Sequence, residues 1–277
     1  MLFQFQLRPL ERVVPWTRDG KPYLSWFGLT DGWYWMNCSG QELFRYTEEA
    51  LQAWAAKGVE VTDKPYVDYQ VVRLWEDLLQ MLPDILNPIP QNLLQIMEPG
   101  LNAYKWREQV AEFVFNEYKK ISPSTEAQFD LATTWWQVRK LDVLHVQNGP
   151  RIWFWTDGAT MFIRWDNSDL CLDEQPMWAS TKGTLTMPLQ VFIEEVHSFD
   201  RHLINAMAER VQAIEQSGSG SNLHIDIKAL VNEQRERATW LAIASERAKN
   251  TKSTPWNETV AAIKYFEDLG FALPSVG

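Results

Sequence analysis

Leu24–Tyr46, LSWFGLTDGWYWMNCSGQELFRY, sets two dense aromatic runs around the tripeptide Thr30-Asp31-Gly32. Pro150–Trp165, PRIWFWTDGATMFIRW, repeats the device around Thr156-Asp157-Gly158. Large aromatic side chains are costly to leave in water, and Asp-Gly supplies a positive-φ turn cheaply. Each stretch therefore predicts an aromatic hairpin: strands Tyr23–Leu29 and Trp33–Asn37 in the first, Arg151–Trp155 and Ala159–Trp165 in the second. A short strand, Glu42–Tyr46, follows the first copy. The two copies differ by two residues between proline and turn, so their strand registers cannot coincide.

Between and after the copies the pattern is helical. Thr47 is a candidate N-cap ahead of Glu48 and Glu49, with Gly58 as the stop. Val67, Val71, Leu74, Leu78 and Leu82 recur at helical spacing and predict a helix over Val67–Leu82. Further helices are expected over Asn102–Lys119 and over Pro123–Lys140, the latter capped by Ser122. Asp142–Val146 reads as a short strand before a turn at Asn148-Gly149. Met177–Ser180 and Thr184–Met187 read as a hairpin about Lys182-Gly183. Pro188–Gln216 is the longest helix, and Ser217–Asn222, SGSGSN, reads as a joint. Helices over Asp226–Lys249 and from Thr254-Pro255 to about Gly270 close the chain.

The fold class expected is α+β, helix-rich overall: two related β-hairpin-plus-helix halves with added helices. The divisions expected are 1–140 (an α+β half with a helical insert), 141–216 (hairpin and long helix) and 217–277 (a helical extension), packed into one body.

With 277 residues the chain has enough length for a sizeable core, and 15 Trp and 13 Phe leave material for a binding surface as well. A formal charge of −10 argues against nucleic-acid binding, which needs a basic footprint, and against an anionic membrane surface. It suits solubility, or steering toward a basic partner. Two cysteines, Cys38 and Cys171, are too few for a disulfide framework; both read as small buried residues. The N-terminus is not a signal peptide, no segment approaches a transmembrane span, and the cytoplasm is the default location.

The stretches LRPLERVVPW, LSWFGLTDGWYW, GQELFRY, PYVDYQVVRLWEDLL, GPRIWFW and EEVHSFDRHLINAMAERV together resemble a family of uncharacterised bacterial proteins, a domain-of-unknown-function group. The likeness covers nearly the whole chain up to the SGSGSN joint. Proteins of that kind look like those found near toxin and defence genes, so the resemblance implies an immunity or interaction role.

Recognisable chemistry is sparse. Glu194 and His197 have the Glu-x-x-His spacing of di-iron bundles, but the chain holds no second such pair. There is no nucleophile elbow and no phosphate-binding glycine loop. Asp31 and Asp157 are turn residues that could face each other as an acid/base pair. The expectation is a cytosolic protein-binding protein, an immunity protein that occludes the active site of a basic toxin domain, with no metal and no cofactor. Its contact residues would be Trp33, Trp35 and Asp31 of the hairpin, with Asp166, Asp169 and Asp173 of the acidic loop DNSDLCLDE. The alternative is a hydrolase or small-ligand enzyme using Asp31, Asp157 and His197 in a cleft.

Overall fold

Alternation of Phe3, Phe5 and Leu7 with Gln4 and Gln6 drives the first strand, β1 (Phe3–Leu7). A small hairpin follows, β2 (Trp16–Arg18) and β3 (Lys21–Tyr23), with Arg18 opposite Lys21. Then come β4 (Asp31–Cys38), β5 (Gln41–Leu43), α1 (Glu48–Ala56), β6 (Val67–Gln70), α2 (Val72–Ile85), α3 (Gln91–Met97), α4 (Leu101–Val114) and α5 (Pro123–Gln137). The second half of the chain holds β7 (Ile152–Thr156), β8 (Thr160–Asp166), β9 (Cys171–Leu172), β10 (Gln175–Pro176) and β11 (Lys182–Pro188). It ends with α6 (Leu189–Ser217), α7 (Ile227–Arg237), α8 (Trp240–Asn250) and α9 (Trp256–Asp268). The fold is helix-rich α+β. This computed structural model describes residues 1–18, 20–97, 101–115, 123–217 and 225–272. The expected Ser122 cap and positions 218–222 of the joint lie outside them.

Two main antiparallel sheets organise these elements. In the first, β4 is central, with β1 on one side and β5 and β6 sharing the other. In the second, the order is β11-β8-β7. The apolar residues collect in two cores. The larger packs the inner face of the first sheet (Phe3, Tyr34, Met36) with α2, α6, α7, α8 and one face of the second sheet (Ile152, Phe154, Ile163). The smaller packs α4, α5 and α9 against Trp153 and Trp155, on the opposite face of β7. Both cores draw residues from each of the stretches 1–140, 141–216 and 217–277.

Several expected elements are replaced. The strand expected at Tyr23–Leu29 gives way to a 3-10 turn at Gly28–Thr30, set by Gly28 N–H bonding the Ser25 hydroxyl and Thr30 N–H bonding the Phe27 carbonyl. Asp31-Gly32 is consequently the start of β4 and not a turn, whereas Asp157-Gly158 does close the β7–β8 hairpin. The two tripeptides share sequence without sharing local structure. The helix expected from Val67 begins only at Val72, because Val67–Gln70 pairs with β4. Residues 142–146 form an irregular turn and not a strand. Met177–Ser180 is not a strand either; Lys182–Pro188 is one strand, paired with β8. One helix expected over Asp226–Lys249 is two, broken at Ala238-Thr239, where the Trp240 ring stacks on Trp75 at 5.6 Å.

Candidate partner-binding face

Side chains two apart on a strand share a face, so Asp31, Trp33 and Trp35 project together from β4. The register places Gln6 beside Trp33, Gln4 beside Trp35 and Asp68 beside Trp33 on the other side. Residues of the opposite parity, Phe3, Tyr34 and Met36, are fully buried in the larger core. The face that carries Asp31, Trp33 and Trp35 is polar and aromatic.

Its centre is Arg8. The guanidinium bonds Asp31 Oδ2 at 2.8 Å through Nε and both oxygens of Asp68 at 2.6 and 2.7 Å through one terminal nitrogen. The same group lies 4.5 Å over the Trp33 ring, and the Lys64 ammonium lies 5.5 Å from that ring. Burial pulls the Arg8 pKa down, but Asp68 and Asp31 more than offset it, leaving the net shift upward. Asp68 is raised by its own burial, opposed by Arg8 and reinforced by Asp31 and Asp63. One cation thus serves two carboxylates.

Beyond this cluster, Trp35 stacks on Tyr66 with ring centroids 4.2 Å apart and planes at 11°. Tyr66 donates its hydroxyl to Glu42 at 2.9 Å, and Glu42 in turn accepts from Arg45 at 2.7 Å. Both rings stay half-buried. A cavity of about 260 Å³ adjoins them, walled by Tyr46, Trp54 and Tyr66, with Glu60 and Asp68 on its lining.

The acidic loop is less free than its sequence suggests. Asp166 is 2% exposed and bonds the Ser168 hydroxyl at 2.7 Å, with Lys182 at 3.6 Å. Asp169 is exposed and ion-paired to Arg151. Asp173 is exposed and pairs with Lys57 at 2.6 Å, tying the β9–β10 hairpin to the end of α1. Two of the expected contact residues are therefore corrected. Trp33 is 4% exposed, covered by Arg8 and Lys64, and donates its indole N–H to Thr62 at 3.2 Å. Asp166 is buried at the end of β8. Trp35, Asp31, Asp169 and Asp173 remain accessible in part or in full.

The residues of the enzyme alternative do not assemble. Asp31 is held by Arg8 on the first sheet. Asp157 sits at the β7–β8 turn, accepting N–H bonds from Ala159 at 2.9 Å and Thr160 at 2.7 Å, which hold its carboxyl below the usual range. His197 is exposed on α6, at an apolar groove of about 640 Å³ between α2, α6 and α8. None of the three is hydrogen-bonded or ion-paired to another. Among the described residues no cluster of three or more His, Cys, Asp or Glu could hold a metal ion. Cys38 is buried, which pushes its thiol to about 12. Cys171 is exposed, against expectation, and both cysteines are free.

A family model matches residues 2–262. The chain belongs to DUF5984, a family of unknown function. No curated protein and no solved structure matches it. The DUF5984 match runs past the SGSGSN joint through α7 and α8 and into α9, so it takes in elements of both cores.

The DUF5984 chain also contains a buried polar set that sequence reading did not assemble. The Tyr34 hydroxyl lies 2.7 Å from His145 Nε2. His145 Nδ1 lies 4.0 Å from Asp77 Oδ2, and neither atom has a hydrogen-bond partner among the described residues. Asp77 Oδ1 accepts from Arg73 at 2.9 Å. Burial raises Asp77 to about 7, against the pull of Arg73. Burial, with Arg73, lowers His145 to about 4. Arg8, Asp68 and Tyr66 were equally out of reach of a sequence reading. Asp31 and Asp68 lie 23 and 60 residues from Arg8, and no local spacing encodes such contacts. Among the described residues no helix is long and apolar enough to cross a membrane.

Proposed function

We propose that this DUF5984 chain is a cytosolic protein-binding protein of the immunity type, which neutralises a cognate toxin domain by covering its active site. The observation that carries this reading is the outer face of the first sheet. There the half-buried Trp35–Tyr66 stack stands beside the Arg8–Asp31–Asp68 cluster. Rigid aromatic rings beside fixed charges are the usual make-up of a binding hot spot, and a protein of this kind needs a complementary surface and no catalytic set. The net charge of −10 favours a basic partner over nucleic acid. Asp173 contributes through an exposed ion pair with Lys57, and Asp169 is exposed beside a largely covered Arg151. An exposed pair is worth little by itself, so an incoming Lys or Arg can displace Lys57. Trp33 and Asp166 act beneath the surface, by holding Arg8 and the loop in place.

Co-expression with the product of the adjacent upstream gene tests the reading. Rescue of a toxic neighbour, co-purification with it, and loss of both in a Trp35→Ala, Tyr66→Ala double variant that keeps its fold are the expected results. Failure of the neighbour to be rescued or to co-purify would remove the immunity role. Retention of binding by the double variant would move the interface elsewhere.

A further inference from the structure

The two edges of the second sheet are finished differently. Beyond β7, Ile152 accepts from Leu141 N–H, Phe154 N–H donates to Arg139, and Thr156 accepts from Ile89 N–H, so that edge is closed by backbone. Beyond β11 no strand pairs among the described residues. The ladder fixes which groups face that open edge. Asn167 N–H donates to the Thr181 carbonyl and Leu189 N–H donates to the Ala159 carbonyl, so odd-numbered positions direct their backbone groups toward β8. Lys182, Thr184, Thr186 and Pro188 therefore direct theirs outward, and all four residues are exposed. Exposed N–H and C=O groups in a row are a template for another strand.

We propose that this edge pairs with β11 of a second copy of the chain, antiparallel about a twofold axis through Leu185. The sequence KGTLTMP is self-complementary in that register. Thr184 falls opposite Thr186 of the second copy, and both residues carry outward backbone groups, so each such pair exchanges two N–H···O bonds. Lys182 falls opposite Pro188, whose carbonyl accepts one bond and whose ring returns none. No like charges meet, and Thr–Thr pairs are favourable across strands. Leu185 meets Leu185 on the side that packs against the larger core. A lysine at one end and a proline at the other discourage pairing with arbitrary strands and leave the threonine centre for a partner of matching register. The contact is isologous, as closed dimers require. It is independent of the toxin-binding reading, because β11 is not part of the first sheet.

Sedimentation velocity on the full chain, from low micromolar to near-millimolar concentration, tests this. The expected result is a concentration-dependent dimer. Thr186→Pro removes an outward donor from each copy while leaving the β8 ladder intact, and raises the dimer dissociation constant by about tenfold or more. Thr186→Lys, which sets the lysines of the two copies near each other on an exposed face, does the same without touching the backbone, and its unchanged circular dichroism shows that folding is not the cause. A chain that stays monomeric throughout, or a dimer that both variants leave unchanged, overturns the proposal. A monomer that instead binds an added extended peptide overturns the second copy as the occupant.

Discussion

β4 and β7 carry nearly the same aromatic run, Trp33-Tyr34-Trp35 in one and Trp153-Phe154-Trp155 in the other, yet they solve opposite problems. β7 is buried throughout, with Ile152 and Phe154 in the larger core and Trp153 and Trp155 in the smaller. β4 buries Tyr34 and Met36 fully in the larger core; on its other side, where Trp35 is only partly buried against that core, it meets Arg8, Asp68, Thr62 and Tyr66. The indoles reflect this. Trp33 N–H has a partner in Thr62, while Trp153 N–H is buried without one among the described residues, a cost accepted where helices cover the sheet on both faces. An aromatic run thus specifies a strand but not how many of its faces are dry. That depends on what packs against the sheet, and the packing partners come from distant sequence.

The largest effect that could break this comparison is on stability. Trp153→Ala should cost about 3–5 kcal/mol, the range for a large aromatic removed from a packed core. Trp35→Ala should cost about 1 kcal/mol, the scale of a cross-strand pair. Urea unfolding of both variants is the measurement, and equal losses would mean the outer face of the first sheet is a third core. The shared glycines should separate next. A Cβ on Gly32 would lie 2.3 Å from the Gln6 carbonyl and 2.8 Å from Leu7 Cα, so Gly32→Ala must push β1 away and should cost about 3 kcal/mol. Gly158 has nothing nearer than 3.6 Å but a φ of +103°. Gly158→Ala should therefore cost only the backbone strain, about 1 kcal/mol. Thermal melts of the two variants would show whether one tripeptide does two jobs.

Legibility in the sequence followed the range of the interaction. α1 with its Thr47 cap, α6 and α9 are set by capping and 3.6-residue spacing, and these were readable. Val67–Gln70 was read as helix because Val67 and Val71 are at helical spacing; pairing with β4 overrode that short-range preference. β11 was read as half of a hairpin about Lys182-Gly183, but Gly183 is there for another reason. A Cβ would strike the Trp165 ring at 2.2 Å, so the glycine marks a close approach and not a turn. For the candidate face, the sequence supplied Trp35 and Asp31 but not Arg8, Tyr66 or Asp68, and it could not show that Trp33 would lie under two cations. Residue type was legible, exposure was not.

The finest difference between the two runs is one hydroxyl, since Tyr34 stands where β7 has Phe154. That hydroxyl meets His145, whose other nitrogen faces Asp77. In the folded chain Asp77 keeps its proton up to about 7 and His145 stays neutral down to about 4. The unfolded chain reverses this, with ordinary values of 3.8 and 6.5. Between about pH 4 and 6.5 each state therefore holds one proton on this pair, on Asp77 when folded and on His145 when unfolded, and the pair contributes no pH dependence. Removing either partner exposes the other. In His145→Gln the folded chain retains the Asp77 proton that the unfolded chain has lost, so stability relative to wild type falls as pH rises, by about 1.4 kcal/mol per pH unit across this window. In Asp77→Asn the unfolded chain binds the extra proton, on His145, and stability falls by a similar amount as pH drops. Urea unfolding at several pH values between 4 and 6.5 should give two lines of opposite slope. Parallel lines would mean that the pair is charged in the fold, and that Tyr34 anchors an ion pair instead of a neutral one.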